Sequence, residues 1–392
     1  MRLARIALPL LAALVAAGCT KDISSPFSAV VVAWDPANQI YELAQVKLST
    51  LISLRDMQGT SGNVTAGGSA RLSTSATLSP MASISSLRQA AFLTAPGPVA
   101  VEFNTANGLV YPEDEAALEL VSFYAALEKS RAELSIWGFS NLVAAPIFSH
   151  TDLRNEDFLS PLAEGELFYE PLNAFFLPVL NPKQQIPPQL NLGVVAHAVA
   201  IQAWQQVVWA GAPVDPAALL VATDPAALTS VHVAQSLRIG IGDFLGTLIT
   251  VDPRWFDHSL PQTASARALD QLRCGSAAML NALDVPDNDV PYDPYPLGTV
   301  LAFSLWDSAL NSDPTAVVTG VVAALPGIAA AQNQNGGKLA LAAALDAIVA
   351  ATQGSAQGYL CGELLNGFHA LSVTDLPTCD TLGVHAPPAS CQ

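Results

Sequence analysis

Charge is scarce in this sequence, and what there is leans one way. Sixteen Lys and Arg stand against 33 Asp and Glu, a formal charge of −17 over 392 residues. A chain so short of cations cannot neutralise a phosphate backbone, which excludes nucleic acid as a partner. Cysteine is sparse too: only Cys19, Cys274, Cys361, Cys379 and Cys391 are present. None of them form a C-x-x-C pair, which argues against zinc held by thiolates. The nucleophile elbow G-x-S-x-G, the Walker loop and the calcium loop are all missing, and with them the chemistry they carry. Gly240-Ile241-Gly242 has two glycines of a nucleotide-binding loop but lacks the third and a preceding strand. Past the N-terminus no apolar stretch is both long and free of proline or polar breaks. Apolar residues still make up 51% of the chain, enough at this length for a large core in two or so lobes.

The N-terminus reads as an export signal. Arg2 and Arg5 precede the apolar run Ile6 to Val15, followed by Ala16-Ala17-Gly18-Cys19. The run is too short to span a bilayer, which takes about 20 apolar residues, and small residues before a cleavage point complete a secretory pattern. A cysteine directly after them resembles a bacterial lipobox, with Ala16 where leucine is usual. That resemblance implies acylation of Cys19, attachment of the mature chain to a membrane, and, because Thr20 rather than aspartate follows, the outer membrane. Removing residues 1–18 strips two arginines and takes the formal charge from −17 to −19. The remaining four cysteines, even in number in an exported chain, suggest disulfides. Three pairings are open, and closeness in sequence favours Cys379 with Cys391, leaving Cys274 with Cys361.

Periodicity supplies the elements. Ala29 to Trp34 is a short β-branched run closed by the turn signal Asp35-Pro36-Ala37-Asn38. Glu42 to Asp56 has an imperfect helix-like spacing, and Gln58 to Ser86, rich in Ser, Thr, Gly and Ala, reads as loop, irregular strand or tether. Val99 to Phe103 alternates like a strand before an Asn107-Gly108 turn. Acidic residues at Glu113, Asp114 and Glu115 open a helix expected to reach Trp137, and Gly165 to Val179 is aromatic-rich, as a core strand would be. A long apolar helix is expected from Gly193 to about Trp209. Gly211 to Thr229 is a Pro/Ala-rich connection. The chain to about Leu371 reads as helix with breaks at Pro326-Gly327 and Asn335-Gly336-Gly337.

Two of these helices carry a pattern. In an H-E-x-x-H helix the histidines four residues apart share one face and one zinc, and the glutamate activates the zinc-bound water. Val194-Val195-Ala196-His197-Ala198-Val199-Ala200-Ile201 has the first histidine, alanine in place of the glutamate and isoleucine in place of the second histidine. Further on, Arg238-Ile239-Gly240-Ile241-Gly242-Asp243-Phe244-Leu245-Gly246-Thr247-Leu248 is similar to the helix that gives thermolysin-like proteases, the gluzincins, their third ligand, a glutamate, and an aspartate that orients a ligand histidine. Asp243 falls at the aspartate position and Ile239 at the glutamate position.

Over residues 99–375 the chain thus resembles a gluzincin whose catalytic glutamate and two ligands are gone, leaving His197 and Asp243 as the remnant of the zinc site. The resemblance implies an α+β, thermolysin-like fold: an N-terminal mixed β-sheet lobe, a mainly α-helical C-terminal lobe and the degenerate zinc helix between them. It implies Asn173 and Ala174 at the edge of a substrate cleft, and Tyr295, ahead of Leu305-Trp306-Asp307, behind it. Residues 19–98 would be an N-terminal tether and irregular region and residues 376–392 a C-terminal tail. The expected function is that of an exported, lipid-anchored pseudoprotease with no zinc, cofactor or peptidase activity, binding a protein or peptide in its cleft. Two rivals stand beside it: a structural envelope lipoprotein, and a hydrolase with a rewired site of His197, His232 and Asp243.

Overall fold

The computed structural model describes residues 25–67, 69–72, 91–94, 96–149, 152–153, 167–169, 173–178, 185–209, 225–260, 266–284, 292–334, 338–384 and 391. The export signal with Cys19, residues 73–90 of the Ser/Thr-rich stretch, most of the connection after residue 209 and the Asn335–Gly337 break lie outside them. The architecture is mixed α+β, with an N-terminal sheet region followed by a helical C-terminal part.

Phe27–Asp35 forms β1 and Ile40–Leu48 forms β2, joined in one antiparallel ladder from Phe27↔Leu48 to Asp35↔Ile40. The turn is set by Asp35, whose Oδ1 accepts from the Ala37 amide at 2.9 Å. The helix-like reading of Glu42 to Asp56 is therefore corrected to β2 and a further strand, β3, Leu51–Ser53. Its spacing was weak, and a nine-residue ladder satisfies backbone groups that a marginal helix would have to pair alone. Part of the Ser/Thr-rich stretch is strand as well: β4 is Gln58–Gly59, β5 is Gly62–Ala66 and β6 is Ser69–Leu72. β7 is Ala91–Thr94, and the expected strand at Val99 begins only at Phe103, as β8, Phe103–Ala106. Asn107 and Gly108, both at positive φ, turn it into β9, Leu109–Pro112.

Helix α1, Glu115–Ile136, is capped by Asp114, which accepts from the Ala117 amide at 2.6 Å. Ser122 Oγ accepts from the Val32 amide at 2.8 Å, fixing the helix to β1. After it come β10 (Ala145–Ser149), β11 (Asp152–Leu153), β12 (Phe168–Tyr169) and β13 (Ala174–Leu177). The strands form three sheets, ordered β2-β1-β9-β8, β12-β13-β10-β5-β4-β3 and β11-β6-β7. Pairing of β1 with β9 and of β5 with β10 joins the segments on either side of residue 98.

Helix α2, Leu192–Trp204, is buried at every position and continues as a π-turn over Gln205–Trp209. Such all-round apolarity marks a central helix. Its cap, Asn191, takes the Gly193 and Val194 amides on Oδ1 at 2.9 and 3.3 Å, and that oxygen also accepts from Tyr41 Oη at 2.9 Å. Helix α3, Pro225–Thr250, packs against α2 and, on another side, against α5, Tyr295–Asn311. Between them lies the short α4, Ala277–Ala282. Gly240 makes the α3–α5 contact: a Cβ there would lie 2.5 Å from the Gly298 carbonyl.

Helix α6, Pro314–Gln334, passes through Pro326 without the expected break. Pro326 and Gly327 are exposed, so water can take the carbonyl that the missing N–H leaves free. By length and composition its Pro314–Asn333 portion could cross a membrane, yet half of it is buried inside the protein, against α7, Leu341–Ala351. Helix α8 is Ser355–Gly367 and α9 is Pro377–Thr381.

The disulfides are Cys274–Cys391, with Cα atoms 5.5 Å apart, and Cys361–Cys379, at 5.6 Å. The pairing favoured by sequence closeness is thus corrected. The Thr378 amide donates to Asp346 Oδ1 at 2.8 Å, holding α9 on α7 with Cys379 turned to α8, while Cys391 is left to reach the segment before α4.

Candidate functional site

His197 sits midway along α2, and its side chain is 1% exposed. Across from it α3 offers Gly242, where a Cβ would lie 2.6 Å from His197 Nδ1. Only glycine lets α3 approach the imidazole this closely. The next residue, Asp243, brings Oδ1 to 2.9 Å from Nδ1. The two groups are in contact but poorly aligned for a hydrogen bond, and among the described residues His197 Nε2 has no hydrogen-bond partner.

The stronger partner of Asp243 is Arg267. Its Nε donates to Oδ2 at 3.0 Å and its Nη2 to Oδ1 at 2.5 Å, a fork in which both side chains are 1% exposed. The guanidinium lies between two rings, 4.1 Å from the centroid of Phe256 and 4.5 Å from that of Tyr295. Burial by itself would raise the Asp243 carboxyl; the Arg267 charge and the His197 contact outweigh it and hold the group below its ordinary value. Trp255 and Phe256, stacked 3.6 Å apart, close the imidazole side.

The other residues singled out above fall as follows. Gly242 opposite His197 and Gly246 opposite Gly193 set α2 and α3 antiparallel. Ile239 turns its side chain toward α5, where a Cβ on Gly298 would lie 3.0 Å from its Cγ2. Ala198, Ile201 and Ile239 are all fully buried. Burying an isoleucine side chain is worth roughly 1.5–3 kcal/mol, so Ile201 and Ile239 contribute packing. Asn173 is exposed at a positive φ of 49°, in the turn before β13. Ala174 is fully buried and pairs with Tyr169 on a strand flanked on both sides. Tyr295 begins α5 and spends its ring on Arg267.

His232 does not join this group. It precedes Asp243 by three turns of α3, about 16 Å along the axis at ~1.5 Å per residue. Its Nδ1 contacts the Leu283 carbonyl at 2.9 Å, and its ring stacks on Tyr292 at 4.1 Å. Among the described residues no three His, Cys, Asp or Glu side chains converge as metal ligands would.

The arrangement is therefore a buried His–Asp–Arg contact whose carboxylate is already committed to a guanidinium. It brings two helices together. Arg267 is the residue that sequence reasoning missed. It lies in a short segment without periodicity, and the one available signal was a cation in apolar surroundings of a chain that has few. Comparison with protein-family models and with curated protein sequences found no match for this chain.

Proposed function

We propose that this protein is an exported, lipid-anchored relative of the thermolysin-like zinc proteases that has lost its catalytic apparatus and acts by binding. One observation carries the reading: His197 Nδ1 lies 2.9 Å from Asp243 Oδ1, across the two helices on which the resemblance expects a ligand histidine and the aspartate that orients it. The mixed-sheet region followed by helices is compatible with that ancestry.

The loss of hydrolysis is argued from the donor set. One imidazole is too few to retain zinc against water, and Ala198 supplies a methyl group where the family needs a general base. Ile201 and Ile239 are fully buried, and the His197–Asp243 contact with the close approach at Gly242 holds α2 on α3. Binding then belongs to the surface of the molecule, at the membrane to which Cys19 ties it. Metal analysis of the purified mature protein is expected to give far less than one zinc per chain, together with no cleavage of casein or of a peptide library. A stoichiometric zinc that survives dialysis against chelator refutes the reading.

A further inference from the structure

The two disulfides are buried unequally. Cys361 on α8 and Cys379 on α9 are fully buried. Cys391 is buried, but its partner Cys274 is half-buried. Thiol–disulfide exchange requires a thiolate to reach one of the two sulfurs, so access decides which bond opens first. Cys274 offers that access, and neither cysteine of the other pair does.

The segment that carries Cys274 is built like a strap. One end is pinned: Arg267 forks onto Asp243, Ala268 and Leu269 are buried, and the Leu269 amide donates to the Pro253 carbonyl at 2.9 Å. Arg254 Nη1 adds a bond to Asp270 Oδ2 at 3.2 Å. The other end is pinned at buried Leu283, whose carbonyl meets His232 Nδ1 at 2.9 Å, and at Asp284, which accepts from Thr229 Oγ1 at 2.6 Å. Between these anchors, Gly275 is the one buried residue of 271–282. Helix α4 buries none of its residues, and Met279 and Leu280 rest half-buried on the core. Gly275 donates its amide to the Gly367 carbonyl at 2.7 Å, and a Cβ on it would lie 3.6 Å from Phe368 Cδ1. The strap thus covers Phe368, which is fully buried, and the disulfide at Cys274 fastens it beside that contact.

We propose that Cys274–Cys391 is a redox-sensitive clasp: a dithiol reductant opens it ahead of Cys361–Cys379, and residues 271–282 then lift off Phe368 while both ends of the strap stay pinned. One thiolate of the dithiol attacks Cys274 Sγ, the bond to Cys391 breaks, and Cys391 leaves as a thiolate that takes up a proton. The second thiolate of the reductant then attacks its own sulfur in the mixed disulfide and releases Cys274, which is protonated in turn. Two electrons pass from the dithiol, which ends as a disulfide, to the cystine, which ends as two thiols. Opening stays local because the remaining supports do not run through this bond. Arg267 is held by Asp243, and α8 stays tied to α9 by Cys361–Cys379. A stretch with so few buried side chains is where a fold opens most readily. Reduction therefore exposes an apolar surface at Phe368 that the oxidised protein keeps covered.

The test treats the full oxidised chain with a graded series of dithiothreitol, traps free thiols with N-ethylmaleimide and locates them by mass spectrometry of the digest. Hydrogen exchange is measured on the same samples. The expected result is alkylation of Cys274 and Cys391 at several-fold lower reductant than Cys361 and Cys379 require. Amide exchange across 271–282 should rise several-fold at that stage, with α7 and α8 still protected. The double variant Cys274→Ser, Cys391→Ser should show the same exchange pattern without reductant; if it does not fold, the partly reduced parent decides. Opening of Cys361–Cys379 first, or of both pairs together, overturns the order. An opened Cys274–Cys391 with unchanged exchange in 271–282 overturns the clasp. Loss of protection throughout α7 and α8 on opening this one bond makes it a staple of the whole fold and overturns the local opening.

Discussion

The buried fork between Asp243 and Arg267 is the contact whose removal tells most. In Asp243→Asn the shape survives and the charge does not, which takes a carboxylate away from a guanidinium that is 1% exposed. Two unit charges about 3 Å apart attract by roughly 5 kcal/mol at an effective dielectric of about 20. Breaking a buried pair from one side costs about 3–5 kcal/mol. The ring contacts of Arg267 with Phe256 and Tyr295 persist in the variant and do not replace the carboxylate. We therefore expect Asp243→Asn to lower stability by about 4 kcal/mol, read by urea unfolding with the disulfides intact. Replacing both partners, Asp243→Leu with Arg267→Met, should return to within ~1–2 kcal/mol of the parent, because the desolvation of both charges disappears together. The pH dependence follows from the depressed carboxyl. Its stabilisation is present above the ordinary value of 3.8 and drains away as pH falls through the lower folded value, so the parent should lose stability over that acid range and Asp243→Asn should lose less. A cost below about 1 kcal/mol for Asp243→Asn, or an unchanged acid limb, refutes the claim that this pair ties α3 to the segment of Arg267.

Three further outcomes follow from the same geometry. The triple variant Ala198→Glu, Ile201→His and Ile239→Glu should take up zinc with micromolar or tighter affinity by calorimetry, while its metal-free form loses several kcal/mol by giving up two buried isoleucines for polar groups; a folded triple variant that takes up no zinc refutes the placement of the ancestral site. Gly242→Ala should cost about 1–3 kcal/mol, since its Cβ would stand 2.6 Å from His197 Nδ1 between two packed helices; thermal melting checks it, and a neutral result means that α2 and α3 are not in close contact there. Val251, a β-branched residue at φ 54° just past α3 and 62% exposed, should gain about 1 kcal/mol on Val251→Gly, measured the same way, because it occupies a backbone region that glycine enters freely.

How much could be read from the sequence depended on how local each signal was. The helix around His197 was legible because an unbroken apolar run needs nothing distant to declare itself, whereas its cap, Asn191, was not read. Asp243 was legible through a spacing relative to other residues of its own helix. β2 was not: Leu43, Val46 and Lys47 carry no clean period, and what makes them strand is the ladder to β1. The disulfides were misjudged for the same reason, since the hold of Asp346 on α9, 32 residues away from Thr378, decides which cysteine Cys379 meets. Ala174 was expected at an edge, yet the strand that covers it, β12, is only two residues long and leaves almost no pattern. Arg267 had no motif at all, and its importance comes from Asp243, Phe256 and Tyr295 converging on it from three separate segments.

The joint between the first hairpin and the central helices has a consequence for timing. Trp34 Nε1 donates to the Thr250 carbonyl at 2.8 Å, and Tyr41 Oη binds the cap of α2, accepting from the Leu192 amide at 2.9 Å. The partners of Trp34 lie 216 positions later in the chain. At a synthesis rate of ~5–20 residues per second, Thr250 follows Trp34 out of the ribosome after about 10–40 s. Throughout that interval the hairpin is made but not seated, with an aromatic pair and a free strand edge exposed. The hairpin of residues 27–48 is thus made well before the helices that seat it, and its contacts are completed only when Thr250 and Leu192 arrive.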